Sequence, residues 1–124
     1  MNDDLKDILT DEEYSITQLK GTEAPFSGRY LNNKEPGIYK CLCCNVDLFS
    51  SRHKYDSQSG WPSFYDVISS ENIELITDTT HGMTRTEVVC SSCGSHLGHV
   101  FDDGPQPTNK RYCINSVSLK FNNE

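Results

Sequence analysis

Hydrophobic residues beyond position 21 occur in short runs that glycine, proline or asparagine interrupts every few positions. Short β-prone runs bounded by such turn residues are typical of β-strands. The pattern predicts five strands, at residues 37–42, 72–78, 84–90, 96–102 and 112–121, and a helical turn at residues 63–67. We therefore expect a small, mainly β fold with antiparallel strands.

The N-terminal segment has a helical signature instead. Thr10 and Glu13 form a capping-box pattern, which predicts a short helix from about Asp11 to near Gly21. Lys20 is expected in the last turn of this helix, where a positive charge suits the helix dipole.

The strand predicted at residues 112–121 changes character along its length. Because alternate strand residues share a face, one face would carry Arg111, Cys113, Asn115, Val117, Leu119 and Phe121. That face is polar at its start and apolar afterwards. The strand is therefore predicted to run from a functional rim into the core, with Cys113 where the two regions meet.

Length and charge narrow the class of protein. The 124 residues suit one domain, assigned to residues 1–124 with a core at about residues 5–122. The net charge of -7 and the scattered basic residues argue against nucleic acid as a partner. The N-terminus lacks the pattern of a secretory signal, and no apolar stretch approaches membrane-spanning length. We expect a cytoplasmic protein whose thiols are kept reduced.

Four of the six cysteines form two CxxC pairs, Cys41 with Cys44 and Cys90 with Cys93. Two intervening residues let a tight turn direct both sulfurs at one metal, and four thiolates make a closed tetrahedral site. The pairs predict one structural zinc ion that joins distant hairpins, and no organic cofactor. Ordinary buried cysteines and a thioredoxin-like redox motif are the alternatives, although the redox motif needs a βαβ context that this sequence lacks.

Cys43 and Cys113 remain once zinc ligands are assigned. Cys43 fits neither pair and is interpreted as an ordinary thiol. Cys113 follows Arg111, whose positive charge would favour the thiolate, and it shares a predicted strand face with Asn115. A cysteine on a strand is more commonly a small hydrophobic residue, so both interpretations of Cys113 stay open at this point.

Imidazoles near a thiolate suit covalent catalysis, because they can carry a proton to a leaving oxygen. His96 and His99 are the candidates, and either Asp102 or Asp103 could orient one of them. Trp61 lies between a glycine and a proline, where an exposed ring would make a rigid wall for a small apolar group. The alternatives are histidines with structural roles and a core tryptophan.

Five segments of the chain resemble the MsrB-type peptide-methionine (R)-S-oxide reductases, in family order and with family-like spacing. They are GTEAPFSG at 21–28, CLCCNVDLFSS at 41–51, KYDSQSGWPSF at 54–64, GMTRTEVVCSSCGSHLGHVFDDGP at 82–105 and RYCINSVSLKF at 111–121. The resemblance implies the zinc-containing form, with two small antiparallel sheets and short flanking N-terminal helices. It also implies reduction of methionine-R-sulfoxide, free or within oxidised proteins and peptides.

The resemblance implies a role for each candidate residue. Cys113 would be the nucleophile and would become a sulfenic acid when it takes the sulfoxide oxygen. Trp61 would be the wall of a methyl pocket. The polar groups around the sulfoxide would be His96, His99, Arg111 and Asn115, and the zinc ligands would be Cys41, Cys44, Cys90 and Cys93.

The sequence departs from the family pattern at Ser59, where many members carry a resolving cysteine. Serine cannot form a disulfide, and Cys43 is a poor substitute because it lies inside a zinc knuckle. We therefore expect a monomer whose sulfenic acid is reduced directly by an external thiol, either thioredoxin or a low-molecular-weight thiol.

Two other functions fit part of the sequence. A zinc-ribbon binding module would explain the four ligands but neither Cys113 nor the Trp61 turn. A zinc hydrolase would need an open coordination position, which a site of four sulfurs does not offer.

Overall fold

The computed structural model describes residues 8–79 and 82–123. Helix α1 (Asp11–Gln18) begins as the sequence predicts, because Thr10 Oγ1 accepts a hydrogen bond from Glu13 N at 3.1 Å and Thr10 N donates to Glu13 Oε1 at 2.9 Å. The placement of Lys20 in the last turn was wrong. Lys20 has a φ of 60°, which ends the helix, and its ammonium lies 3.2 Å from Glu87 Oε1.

Nine strands lie within the described residues. They are β1 (Gly37–Cys41), β2 (Asp47–Ser50), β3 (Lys54–Tyr55), β4 (Ser63–Phe64), β5 (Ile73–Asp78), β6 (Arg85–Cys90), β7 (His96–Phe101), β8 (Arg111–Ile114) and β9 (Leu119–Asn123). They form a three-stranded sheet in the order β2-β1-β9 and a six-stranded sheet in the order β3-β4-β8-β7-β6-β5. All neighbouring strands are antiparallel, so the expectation of a mainly β fold with two antiparallel sheets is confirmed.

One apolar cluster joins the two sheets. Its centre is aromatic: Phe49 of β2 and Phe64 of β4 stack with ring centroids 4.5 Å apart, and Tyr39 of β1 meets Phe64 edge-on at 5.2 Å. All three side chains are fully buried. Packing of this kind fixes the sheets against each other, so the opposite, polar face of the larger sheet is held rigidly.

The prediction of one continuous strand at residues 112–121 was wrong. Strand β8 ends at Ile114, a 3-10 turn follows at Ser116–Ser118, and β9 continues in the other sheet. The chain changes sheets because polar groups take over the pairing: Ser118 N donates to Asn115 O at 3.0 Å, and Ser118 Oγ donates to His96 O at 2.8 Å. The predicted shared face therefore holds only along β8.

One smaller prediction was also wrong, and a strand was missed. The helical turn expected at residues 63–67 is instead β4, which pairs with β8 through Ser63 opposite Cys113. Strand β2 was not predicted at all.

Within the described residues, no helix is long and apolar enough to cross a membrane.

Candidate active site and metal centre

The four CxxC cysteines meet at one point. The Sγ atoms of Cys41 and Cys93 are 3.6 Å apart, those of Cys44 and Cys90 are 3.5 Å apart, and all four sulfurs lie within 4.8 Å of one another. A tetrahedron with metal–sulfur bonds of about 2.3 Å has sulfur–sulfur edges of about 3.8 Å. The donor set and its spacing therefore fit a metal ion held by four thiolates.

Two similar turns build this cluster. Asn45 N donates to Cys41 O at 2.9 Å, and Gly94 N donates to Cys90 O at 2.8 Å. Asn45 and Gly94 both have positive φ, 69° and 77°, which turns the chain back after each pair of cysteines. Cys43 lies within the first turn but is not one of the four clustered sulfurs.

Cys113 lies at the centre of the larger sheet. Its Cα pairs with Ser63 of β4 on one side and with His99 of β7 on the other. Residues directly opposite on neighbouring strands project to the same face, so Cys113 and His99 share the polar face. Both line a cavity of about 260 Å³, together with Trp61, Arg111 and Asn115.

The metal cluster and this cavity lie towards opposite ends of β6. Arg85, the first residue of the strand, lines the cavity, whereas Cys90, the last, belongs to the sulfur cluster. Five steps of about 3.3 Å separate their Cα atoms by about 16 Å. The thiol of Cys113 and the metal cluster are therefore separate centres.

The thiol of Cys113 is partly buried, and burial and its polar and charged neighbours, the raising effect of Glu23 among them, act on its pKa. Burial raises its pKa above the ordinary value and is the largest of them. The hydrogen bond with Ser59, whose Oγ lies 3.7 Å from the sulfur, and the positive charge of Arg111 act in the opposite direction. The expectation that Arg111 favours the thiolate is right in direction, but burial outweighs it.

The SelR domain family matches residues 9–123 of the chain. A Methanosarcina barkeri protein named peptide methionine sulfoxide reductase MsrB is 61% identical over 119 residues, 96% of this chain and 84% of that protein. The chain belongs to the MsrB family. An Escherichia coli MsrB is 55% identical over 119 residues, covering 96% of this chain and 87% of that protein. Mouse mitochondrial methionine-R-sulfoxide reductase B3 is 59% identical over 118 residues, 95% of this chain but 47% of that longer protein.

The fold also occurs outside the MsrB family. The crystal structure of the Mis18 "Yippee-like" domain superposes with a TM-score of 0.57, covering 73% of this chain and 98% of that one. At 14% sequence identity this likeness concerns the fold alone.

Asp78 and Glu87 are the acids that contact His99 and His96 of this MsrB chain. Asp78 Oδ2 lies 2.8 Å from His99 Nε2, and Glu87 Oε2 lies 2.7 Å from His96 Nδ1. The expected partners, Asp102 and Asp103, pair instead with Lys110 and Arg111. Sequence reasoning missed Asp78 and Glu87 because they come from β5 and β6 and meet the imidazoles only after the sheet forms.

His96 contacts His99 edge-on but is not among the described residues that line the cavity. Its side chain is buried, and the two imidazole centroids are 5.5 Å apart. Burial lowers the pKa of His96, although the hydrogen bond with Glu87 opposes this shift. The two influences on the His96 imidazole therefore oppose each other, and burial is the larger.

A bulge brings the two histidines to one face. Strand residues three apart normally project to opposite sides. In β6 and β7, Val88 pairs with Gly98 but Val89 pairs with His96, so Leu97 is the extra residue. Leu97 is fully buried in the core, while His96 and His99 both lie on the polar face.

Arg111 is held in a fixed orientation at the rim. Its Nε and Nη2 donate to the two carboxylate oxygens of Asp103 at 2.8 and 3.2 Å, and its guanidinium lies over the Phe101 ring at 4.4 Å. Such a two-point pair restricts the side chain more than a single contact does. The positive charge beside Cys113 is thus fixed in place.

Trp61 and Asn115 are both tied to the segment at Glu23. Trp61 Nε1 donates to Glu23 O at 3.0 Å, and Asn115 Oδ1 accepts from Glu23 N at 3.1 Å. Asn115 Nδ2 also donates to Leu97 O at 3.1 Å. The half-buried tryptophan is therefore a fixed wall of the cavity, and the amide of Asn115 holds two segments together.

Glu23 was not among the predicted site residues. Its side chain is buried and its Oε1 accepts a hydrogen bond from Val117 N at 3.0 Å, while burial raises its pKa. Its acidic side chain gave no signal in the sequence, because the amide that it binds, Val117 N, lies 94 positions further along the chain.

Proposed function

We propose that this chain reduces methionine-R-sulfoxide, free or in oxidised proteins and peptides, to methionine. One observation carries the proposal: Cys113 and His99, opposite each other on neighbouring strands, face one cavity that Trp61 walls. That combination offers a sulfur nucleophile, a proton donor and an apolar surface within one small site. Membership of the MsrB family and the names of the relatives support the same activity.

The Cys113 thiolate attacks the electrophilic sulfoxide sulfur. Protonation of the sulfoxide oxygen makes that sulfur more reactive, and His99 is the group assigned to it. Asp78 engages Nε2, so Nδ1 is the nitrogen that faces the oxygen. The oxygen passes to Cys113, which becomes a sulfenic acid as methionine leaves.

Selectivity for the R epimer follows from three fixed points. The methyl group lies against Trp61, the oxygen meets His99, and the sulfur faces Cys113. Exchanging methyl and oxygen, as in the S epimer, would press the polar oxygen against the indole. His96 does not line the cavity, so we assign it the task of positioning His99 through their edge-on contact.

Zinc is the metal that the four-sulfur cluster suits best, and its role here is structural. The residues that would hold it are Cys41, Cys44, Cys90 and Cys93. Four protein ligands leave no open position for a substrate. We also propose that the protein is a cytoplasmic monomer and that an external thiol reduces its oxidised Cys113.

The activity is tested with separated R and S epimers of a methionine sulfoxide peptide and dithiothreitol as reductant. We expect turnover of the R epimer alone. Equal turnover of both epimers, or of the S epimer only, would contradict the proposed function.

Removing His99 or Trp61 should slow the oxidation of Cys113 by substrate. His99→Ala loses the proton donor, which is worth about 10²–10⁴-fold in rate. Trp61→Ala loses the methyl wall and should also narrow the difference between the epimers, whereas Trp61→Phe should keep most of it. Single-turnover rates measured without reductant report this step directly.

His53→Ala is the matched control for His99→Ala, because His53 packs against Tyr65 and does not line the cavity. It should react at the wild-type rate. If His99→Ala also reacts at that rate, His99 has no part in proton delivery.

The pH dependence of Cys113 should follow its environment. Because the thiolate is the reactive form and burial raises the pKa, alkylation of Cys113 by iodoacetamide should increase with pH, with a midpoint above that of an ordinary cysteine. Arg111→Met removes a positive charge and should move the midpoint to still higher pH. Lys120→Met, which removes an exposed charge from the other sheet, should leave the midpoint unchanged. Peptide mapping separates Cys113 from the other thiols, and a midpoint lowered by Arg111→Met would contradict this account.

A further inference from the structure

A second cavity lies beside Cys113 and is not used by the sulfoxide step. It has a volume of about 610 Å³ and is lined by residues 55–57, Ser59, residues 103–105 and Arg111. The two cavities share Arg111. Ser59 stands between the second cavity and the nucleophile, because its Oγ is 3.7 Å from Cys113 Sγ. The sulfur therefore has substrate on one side and this space on the other.

Polar groups in the second cavity suit a polar ligand. Tyr55 lines it, and the Tyr55 hydroxyl is buried without a hydrogen-bond partner among the described residues. Buried hydroxyls almost always have a partner in folded proteins, so this one is free to contact a bound molecule. Ser57 Oγ, 2.8 Å from Ser59 Oγ, continues the polar wall towards the nucleophile.

The direction of attack on an oxidised Cys113 points to the same cavity. In the proposed function, oxygen arrives from the substrate cavity, so the sulfenic hydroxyl projects to that side. A thiolate that displaces hydroxide from sulfur must approach opposite the S–O bond. Ser59, which lines the second cavity but not the substrate cavity, lies 3.7 Å from that sulfur and marks this approach.

We propose that the second cavity admits a small-molecule thiol that reduces Cys113 after each turnover, an inference that rests on the proposed function. The thiol sulfur bonds to Cys113 Sγ, the S–O bond breaks, and the departing hydroxide takes a proton to leave as water. A second thiol attacks the resulting mixed disulfide, which releases a symmetrical disulfide and the Cys113 thiol. Two thiols are thereby oxidised, and the sulfenic acid is reduced by two electrons.

Charge on the cavity wall sets which thiols enter. Asp103 pairs with Arg111, so these two charges cancel in the net charge of the wall, which leaves the exposed carboxylate of Asp56; that carboxylate accepts a hydrogen bond from Gln58 N. The Lys54 ammonium interacts electrostatically with Asp56 but donates its hydrogen bond to Leu31 O in an adjoining cavity. The net negative wall favours neutral and cationic thiols over anionic ones.

The test separates the two halves of the cycle. Cys113 is first oxidised with one equivalent of methionine-R-sulfoxide, and in a parallel arm with hydrogen peroxide, and the oxidised protein is quantified by intact mass. It is then mixed with cysteamine, 2-mercaptoethanol or 2-mercaptoethanesulfonate, and recovery of the Cys113 thiol is followed. Failure of sulfoxide to oxidise Cys113 would contradict the proposed function, while the peroxide arm would still test this cavity.

The decisive variant is Asp56→Asn, which keeps the acceptor for Gln58 N but removes the charge. Rates are corrected for the thiolate fraction of each reagent. The ratio of the cysteamine rate to the mercaptoethanesulfonate rate should fall by about threefold to tenfold in this variant. Glu71→Gln removes an exposed carboxylate that lines neither cavity and should keep the wild-type ratio. An unchanged ratio in Asp56→Asn would overturn the proposal.

A blocking variant tests the route independently of charge. Pro105→Trp places a large ring at the exposed rim of the second cavity and should slow recovery with all three small thiols. The fraction of oxidised Cys113 is measured before each reduction, so that wild type and variant are compared at the same starting fraction. Wild-type recovery in Pro105→Trp would overturn the route. Thioredoxin is tested in parallel as a protein dithiol. If it restores the Cys113 thiol faster than any small thiol does, and if Pro105→Trp does not slow that reaction, the assignment to a small molecule would be overturned.

Discussion

Cys113→Ser should abolish reduction of methionine-R-sulfoxide while leaving the fold and the metal content intact. Among the described residues that line the substrate cavity, Cys113 is the one that carries sulfur. A serine hydroxyl has a far higher pKa than a thiol and cannot store the oxygen as a reversible sulfenic acid. Loss of at least about 10⁴-fold in turnover is expected for removal of a nucleophile.

The fold of this variant should survive because serine nearly matches cysteine in size and the Ser59 hydroxyl offers it a partner. Circular dichroism, melting temperature and metal content establish that point. Cys43→Ser is the matched control, since Cys43 lies within the first metal turn and does not line the substrate cavity, and it should keep steady-state turnover with dithiothreitol. Substantial turnover by Cys113→Ser, or its loss in a folded Cys43→Ser, would overturn the assignment of the nucleophile.

Structural features that depend on interactions between residues close in sequence were predicted correctly. The capping box at Thr10 and Glu13 fixes the start of α1 through contacts three residues apart, so it is visible in the sequence. The two CxxC pairs likewise predict their own turns, and the structure brings all four sulfurs together as expected. Cys113, His99 and Trp61 were predicted largely through the family resemblance, and the structure places them around one cavity.

Features that depend on the partner strand were not predictable. The extra residue at Leu97 shows only in the pairing of β6 with β7, and without it His96 and His99 would project to opposite faces. The break after Ile114 was missed for a related reason. Alternation continues through residues 115–119, and only the 3-10 turn at Ser116–Ser118 and the pairing of β9 with β1 show that the chain leaves the larger sheet.

The partners of the imidazoles were missed because of sequence distance. Asp102 and Asp103 are near the histidines in sequence, yet the turn after β7 directs them to Lys110 and Arg111. Asp78 is 21 positions from His99 and Glu87 is 9 positions from His96, and the sheet brings both acids into contact. Proximity in sequence was therefore a poor guide to which acid orients which imidazole.

Removal of the bound metal should unfold the domain. The sulfur cluster joins Cys41 to Cys93, 52 positions apart, and Cys44 to Cys90, 46 positions apart. It also links the two sheets, because Cys41 ends β1 of the smaller one and Cys90 ends β6 of the larger one. Binding of zinc by four thiolates contributes about 10–16 kcal/mol in small zinc domains, which matches or exceeds the about 5–15 kcal/mol of a typical fold.

Removal of the metal also affects the core directly. Cys41 and Cys90 are fully buried within the apolar cluster that joins the sheets, so chelation leaves their polarised sulfurs in the core without the ion. Zinc content should be one per chain, and a strong chelator should lower the melting temperature by tens of degrees or abolish the transition. Re-addition of zinc should restore it.

Hydrogen exchange distinguishes a structural metal from a catalytic one. On chelation, amides of β1 and β6 should lose protection first, since each strand ends at a ligand. Cys113→Ser provides the comparison, because its loss of activity should come with unchanged protection in both strands. A metal-free protein that melts at the holoprotein temperature and keeps β1 and β6 protected would show that packing alone holds the sheets together. The cluster would then have no structural role.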